Sequence, residues 1–198
     1  MSFDYKTRTA THIADHPVGK LLDSLRMESA FYTHSRLTRP WGMAMPPMPN
    51  CMMYHIVLEG AAEFRVGDSV FSLEEGGFVL FPGGDGHVLS DGECKTLTPL
   101  SELPIESITE RYETLDFGGG GEVCTMVCGA MLFQHPLAIK LLGILPPFIK
   151  IHPDSEDSVS IVNSVAALLK SESQTVSVGA EAVISRLADI LVIAAMRQ

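Results

Sequence analysis

The sequence predicts a mainly β protein with some α structure: an antiparallel β-barrel or sandwich followed by C-terminal helices. This prediction rests on two blocks that contain glycines at turn positions. They are Tyr-His-Ile-Val-Leu-Glu-Gly at 54–60 and Gly-Gly-Phe-Val-Leu-Phe-Pro-Gly-Gly-Asp-Gly-His-Val-Leu at 76–89. Each contains a β-branched or aromatic run that stops at Gly or Pro-Gly, as strands do when they end in tight turns. Between the blocks, apolar and charged side chains alternate along 62–66. This is the period of a strand with one buried and one solvated face.

The first part of the chain is predicted in order as follows. Residues 1–16 are polar and expected to be flexible, and 17–27 have apolar residues at the spacing of a first helix. A strand is expected over 29–39. The proline-rich stretch 40–50 is expected to be neither helix nor central sheet. Hairpin-length connections favour antiparallel pairing of the strands that follow, at 51–58, 61–66, 69–73, 77–81 and 86–90.

The segment 91–122 breaks this rhythm. It holds eight acidic residues against two basic ones and ends in a run of four glycines. A connection this long is uncommon in a compact domain. Two interpretations stay open, a solvated insertion and a lid over the mouth of the barrel. A long apolar strand is then expected over 123–133.

The C-terminal third is predicted to be helical. A short helix is expected near 135–143, and two further helical patterns follow Pro146-Pro147 within 153–198. The second pattern is apolar nearly all round, so it needs burial on every side. We therefore expect a homodimer in which a partner covers one face of this last helix, through Leu187, Leu191, Ile193 and Ala194.

Composition limits the possible functions. The 198 residues are 46% hydrophobic and 19% charged, with a net charge of −10, so the chain is globular and not disordered. No stripe of Lys or Arg is present, and this chain alone is not expected to bind DNA. No signal peptide or membrane-spanning stretch is readable, which predicts a cytoplasmic protein with no membrane partner. The four cysteines show no Cys-x-x-Cys pair and are expected to be free thiols.

Several motifs resemble a known family. The spacing Pro-x-Gly-x-x-His at 82–87, followed by Asp91, resembles the second motif of the cupin superfamily, and 57–60 resembles the end of the first. Pro-Trp-Gly-Met at 40–43 precedes these blocks. Val-Cys-Gly at 127–129, His-Pro-Leu at 135–137 and Leu-Pro-Pro at 145–147 follow them. The ordered set, from about Val18 to Met196, resembles the cupin-type N-terminal effector-sensing domain of AraC-type bacterial transcription regulators.

This resemblance implies a function and partners. It implies a sensing domain over 17–152 that binds a small-molecule effector, and a helical dimerisation region over 153–198. No part of this chain resembles the helix-turn-helix units of such a regulator, so DNA would be reached only through a missing C-terminal domain. The sequence is either truncated or that of a regulator without a DNA-binding part, and we expect truncation. The alternative is a stand-alone cupin enzyme, such as a metal-dependent dioxygenase or isomerase. The incomplete ligand set, described next, and the helical region favour the sensor.

The resemblance also directs attention to candidate site residues. A metal-binding cupin offers two His and a Glu on its first motif and a His on its second. Here the Glu position falls on Met53, no His-x-His precedes it, and His87 takes the second motif's His. His55 shares the strand face of Met53 because it lies two residues away, and Cys128 comes from a third strand.

These residues leave three interpretations open. His55, His87 and Cys128 could hold a divalent ion such as zinc. The same residues, with Met53 and with Trp41 as a stacking surface, could instead contact an effector, and a buried hydrogen-bonded histidine is the third reading. No catalytic residue is assigned, because the motifs of hydrolases, proteases and phosphate loops are missing.

Overall fold

The computed structural model describes residues 28–133, 136–152, 159–174 and 179–196. The flexible segment expected over 1–16 and the helix expected over 17–27 lie outside the described residues. The strands are β1 (Glu28–Thr38), β2 (Gly42–Met45), β3 (Cys51–Glu59), β4 (Ala61–Val66), β5 (Ser69–Glu74), β6 (Phe78–Phe81), β7 (His87–Ser90), β8 (Thr98–Pro99), β9 (Ile105–Ser107), β10 (Tyr112–Gly118), β11 (Val123–Leu132) and β12 (Ile149–Ile151). The helices are α1 (Pro136–Leu142), α2 (Val159–Gln174) and α3 (Ala180–Met196).

The described strands form two sheets. The larger sheet has the order β12-β6-β3-β11-β1-β10-β9, and the smaller has the order β5-β4-β7-β2-β8. Among the pairs in the described ranges, β1 with β10 and β2 with β8 are parallel and the others are antiparallel. The predicted mainly antiparallel architecture with C-terminal helices is confirmed, as are the five short strands predicted between 51 and 90.

The turn between β3 and β4 shows why the first block ends in glycine. Gly60 has a φ of 77°, a conformation that side-chain-bearing residues rarely adopt. A Cβ at this position would also lie 2.6 Å from the carbonyl oxygen of Val123 on β11. Glycine therefore lets the chain reverse tightly against the neighbouring strand.

The prediction that 40–50 contains no central strand was wrong for four residues. Gly42–Met45 forms β2, which lies between β7 and β8 in the smaller sheet. The prolines at 40, 46, 47 and 49 flank this strand and do not interrupt it. Since proline disrupts a sheet only where its missing N–H is needed, the short stretch between prolines can pair on both edges.

The segment 91–122 is also more regular than predicted. It contains β8, β9 and β10, and β10 extends the larger sheet by pairing in parallel with β1. Its acids are partly held at the surface: the carboxylate of Asp116 pairs with Arg36 at 3.2 Å, and Glu122 pairs with Arg39 at 3.6 Å. Strand pairing, which local sequence does not encode, therefore orders a segment whose composition indicates a loop.

The centre of the larger sheet, around β3, is buried on both faces. Along β3, Met52, Tyr54, Ile56 and Leu58 belong to one apolar cluster with α2 and α3, whereas Cys51, Met53 and Val57 belong to a second cluster with the smaller sheet. Because side chains of a strand alternate between faces, β3 separates these two clusters. The second cluster fills the space between the sheets, where the candidate site lies.

The C-terminal helices cover the outer face of the larger sheet. Leu187 and Leu191 of α3 are 8% and 0% exposed in the single chain, because they pack in the cluster shared with the sheet and α2. This corrects the prediction that both contact a partner subunit, whereas Ile193 and Ala194 remain partly exposed. Among the described residues of the helical pair, the large apolar side chains that are exposed are instead Ile161 and Leu168 on α2 and Val183 and Ile190 on α3. Within the described parts of the chain, no helix has the length and hydropathy to cross a membrane.

Candidate functional site

A small cavity of about 40 Å³ lies between the two sheets and is partly open to solvent. Its walls come from the inward faces of β1, β3, β10 and β11, from β2 with the following loop, and from the start of β9 with the turn before it. The lining is almost wholly apolar. It consists of Phe31, Thr33, Ser35, Met43, Met45, Met48, Met53, His55, Leu100, Leu103, Ile105, Leu115, Cys128, Gly129 and Ala130.

Strand register explains why the polar lining residues meet. Cys128 on β11 is directly opposite Thr33 of β1 on one side and His55 of β3 on the other. Residues in register on neighbouring strands point to the same face of a sheet, so these three side chains form a row. Met53 lies two residues from His55 on the same face and is 2% exposed. Met53, His55 and Cys128 therefore line one interior, whereas His87, the other predicted contact, is not among the lining residues.

His55 and His87 contact each other directly. Their Nε2 atoms lie 2.8 Å apart, and Nδ1 of His87 lies 2.9 Å from the backbone carbonyl oxygen of Asp85. Since a carbonyl oxygen only accepts, Nδ1 of His87 carries the proton and donates it to Asp85. Nε2 of a neutral His87 is then an acceptor, and Nε2–H of His55 donates to it. Nδ1 of His55 is left as a lone-pair acceptor, and it is buried without a hydrogen-bond partner.

The surroundings hold both histidines neutral. Burial lowers the pKa of His87 to about 4, against a smaller opposing effect of the Asp85 carbonyl. Burial, followed by repulsion from His87, holds the pKa of His55 well below its usual range. Phe81 stacks on His87 with ring centroids 3.8 Å apart, and Phe64 and Phe81 flank His55. A neutral pair, with one donor and one acceptor, is the state that this apolar enclosure favours.

The predicted metal ligands do not fit a metal ion. Burial raises the pKa of the Cys128 thiol to about 12, partly offset by a hydrogen bond with Ser35, so the sulfur of the metal-free chain is protonated at neutral pH and would have to lose its proton to bind a metal. The two imidazoles are hydrogen-bonded to each other, with no space for an ion between their Nε2 atoms. In the part of the chain that the structure describes, no group of three His, Cys, Asp or Glu side chains is placed to hold a metal. The zinc interpretation therefore finds no assembled ligand set here.

Trp41 and His87 stand apart from the cavity wall. Trp41 is 1% exposed and is not among the lining residues, so it offers no stacking surface to a ligand there. Its backbone N–H donates to the Asp91 carboxylate at 3.0 Å, and the N–H of Asp91 donates back to the Trp41 carbonyl at 3.1 Å. Trp41 therefore packs at the end of the smaller sheet. His87 does not line the cavity, but it is hydrogen-bonded to His55, which does.

Sequence reasoning missed two parts of the site. Met43, Met45 and Met48 line the cavity, and the density of methionines around 43–53 was the available signal. Leu100, Leu103, Ile105 and Leu115 form another wall, and they come from the segment whose role was left open between insertion and lid. This segment supplies part of the cavity wall, which the solvated-insertion interpretation does not explain.

The fold and the site define a cupin: two mainly antiparallel sheets that enclose a pocket, with a histidine after the Pro-Gly corner of the second motif. The chain matches the cupin family over residues 16–198 and belongs to that family. Comparison with curated proteins yields no match.

Among solved structures, the chain is similar to apo ToxT K231A from Vibrio cholerae strain SCE256, with 10% sequence identity and a TM-score of 0.39. The likeness covers 80% of this chain and 52% of that chain, so this chain spans about half the length of ToxT.

Proposed function

We propose that this chain is a small-molecule sensing and dimerisation domain of an AraC-type transcription regulator, which contacts DNA through a part outside this chain. The sequence motifs resemble such domains. The observation that carries the proposal is the neutral His55–His87 pair beside an apolar cavity. Here the position that holds a metal-binding Glu in other cupins is occupied by Met53.

The chemistry of the cavity supports binding more than turnover. The Cys128 thiol is protonated, which makes it a poor nucleophile. The hydroxyl of Thr33 donates to Glu113 at 3.2 Å, so this polar lining residue is already engaged. A pocket with few polar groups and an apolar lining is typical of a ligand-binding site that selects by shape and by one or two hydrogen bonds.

The proposal includes self-association through the helical pair. Val183 and Ile190 lie seven residues apart on α3, and Ile161 and Leu168 have the same spacing on α2. Residues seven apart occupy one stripe of a helix. These four side chains are between 42% and 53% exposed, and burying them against a second copy would remove apolar surface from water.

A ligand screen tests the proposal against the enzyme alternative. Compounds that raise the melting temperature of the chain should be recovered unchanged after long incubation, because a sensor binds its effector without turnover. The same incubation is repeated after iron or zinc is added. Conversion of a stabilising compound, with or without metal, would contradict the sensing function and favour a cupin enzyme.

A further inference from the structure

The cavity lining carries no charge that could balance a charged ligand. In the described residues, neither Lys nor Arg lines it, and its histidine is held neutral by burial. The nearby carboxylate of Glu113 is occupied by Thr33 and by Ser107. Burial of an ion without a partner is strongly unfavourable. A carboxylate, a phosphate or an ammonium group is therefore a poor fit to this cavity.

The Asp85 carbonyl, which lies outside the cavity lining, fixes the direction of the hydrogen bond between His87 and His55. The Asp85 carbonyl accepts from Nδ1 of His87, so Nε2 of His87 must accept from His55. In this chain of hydrogen bonds, the lone pair of His55 Nδ1 is the acceptor that has no partner. A ligand that pairs with it must donate a hydrogen bond. Ser35 and Cys128 already pair with each other, and Thr33 pairs with Glu113. A ligand with many hydroxyl groups would leave most of them unpaired.

The other walls can adapt to the shape of a ligand. Met43, Met45, Met48 and Met53 all line the cavity. Methionine is unbranched and has three rotatable bonds, so it rearranges around irregular apolar surfaces. Nδ1 of His55 is buried in the ligand-free chain. A donor group therefore reaches it only when neighbouring side chains move, and the methionines of the lining have the freedom to do so.

We propose that the cavity binds an uncharged, mainly apolar small molecule whose single hydrogen-bond donor, a hydroxyl of the phenol or alcohol type, is accepted by Nδ1 of His55. This inference rests on the proposed sensing function and specifies its effector class. The donor group is required, whereas the apolar part of the molecule tolerates variation because methionines surround it.

A matched series of three probes tests this class at neutral pH: 4-ethylphenol, its methyl ether 4-ethylanisole, and the anion of 4-ethylbenzoic acid. Dissociation constants are measured by calorimetry on the unmodified chain. We expect the phenol to bind, the ether to bind roughly tenfold more weakly because it cannot donate to Nδ1, and the anion not to bind. Equal affinity for phenol and ether, tighter binding of the anion, or no phenol binding at millimolar concentration would overturn the proposal.

Two variants test whether His55 is the residue that accepts the hydrogen bond from the ligand. His55→Phe keeps a ring but removes the acceptor, so the preference for phenol over ether should disappear. His34→Phe makes the same substitution on β1, on the face opposite the lining residues Thr33 and Ser35, and should retain that preference. If the two variants behave alike, the assignment to His55 is wrong.

Nitrogen NMR of the histidine side chains gives a test that needs no variant. His55 should be protonated on Nε2 and bare on Nδ1, and the Nδ1 resonance should shift when the phenol is added but not with the ether. A proton on Nδ1 of His55 in the ligand-free chain would contradict the assigned direction of these hydrogen bonds. Chemical conversion of the phenol would overturn the sensing function while leaving the ligand class intact, which keeps the two failures distinguishable.

Discussion

The ring of Tyr54 lies across Gly129, its direct partner on the neighbouring strand. A Cβ at position 129 would be 2.3 Å from the Tyr54 hydroxyl oxygen and 2.4 Å from the ring carbon that bears it. Tyr54 is 1% exposed and stacks on Phe78 with ring centroids 6.2 Å apart, so its ring has little freedom to move away. The absence of a side chain at Gly129 therefore shapes the face of the larger sheet opposite the cavity.

Gly129→Ala is expected to destabilise the chain by about 2 kcal/mol, because it overpacks the Tyr54 ring. This corresponds to a fall in melting temperature of roughly 4–8 °C for a chain of this size. Gly143→Ala is the matched control, since a Cβ there would meet its nearest neighbouring atom at 3.6 Å. Thermal unfolding that shows equal effects for the two variants would contradict this packing argument.

Stability should fall on acidification because His87 is buried neutral. Its pKa is about 4 in the folded chain and 6.5 in the unfolded one, so only the unfolded state takes up a proton between these values. The contribution of His87 to the free energy of unfolding is therefore complete above pH 6.5. It decreases by up to about 3 kcal/mol as the pH falls toward 4.

The measurement is thermal unfolding between pH 7 and 4.5, compared with His87→Gln, which cannot titrate. The variant should be less stable at pH 7, because it disturbs the bond to His55, but its melting temperature should decline less steeply with acid. Parallel pH profiles for the two proteins would show that His87 does not carry this dependence. His55, whose pKa is also lowered by burial, contributes in the same direction in both the unmodified chain and the variant.

Glutamate substitutions on α3 should separate self-association from folding. Ile190 is 44% exposed, so Ile190→Glu should keep the fold and shift a dimer toward monomer. Leu191 is fully covered by its own chain, so Leu191→Glu should bury an unpaired charge and prevent stable folding. Light scattering and circular dichroism measure the two effects. A monomer in the unmodified chain at micromolar concentration would refute the proposed dimer.

The chain alone should not bind DNA detectably. Its net charge of −10 repels the phosphate backbone, and phosphate contacts supply most non-specific affinity. A gel-shift assay at low salt checks this, since low salt strengthens any phosphate contact. Tight, sequence-selective binding by this chain would contradict the proposal that DNA contact resides elsewhere in the regulator.

Strand positions were readable from the sequence because their cause is local. Alternation along 62–66 and the turn at Gly60 depend on neighbours in the chain, and β4 and β5 form where predicted. Parity also predicted that Met53 and His55 share a face. Other assignments failed where distant pairing decides, as in β2 between its prolines and β10 beside β1.

The sequence by itself determined the cupin class, the five strands between 51 and 90, and the placement of His55 and Met53 on one strand face. Only the tertiary structure decided what those residues do. The contact between His55 and His87 joins residues 32 positions apart, and the burial that keeps both neutral comes from strands of both sheets. The same holds for Leu191, whose apolar stripe is readable but whose cover is its own chain. The periodicity of apolar residues indicates that one face of a helix or strand is buried. Which element packs against that face depends on contacts between parts of the chain that are far apart in sequence.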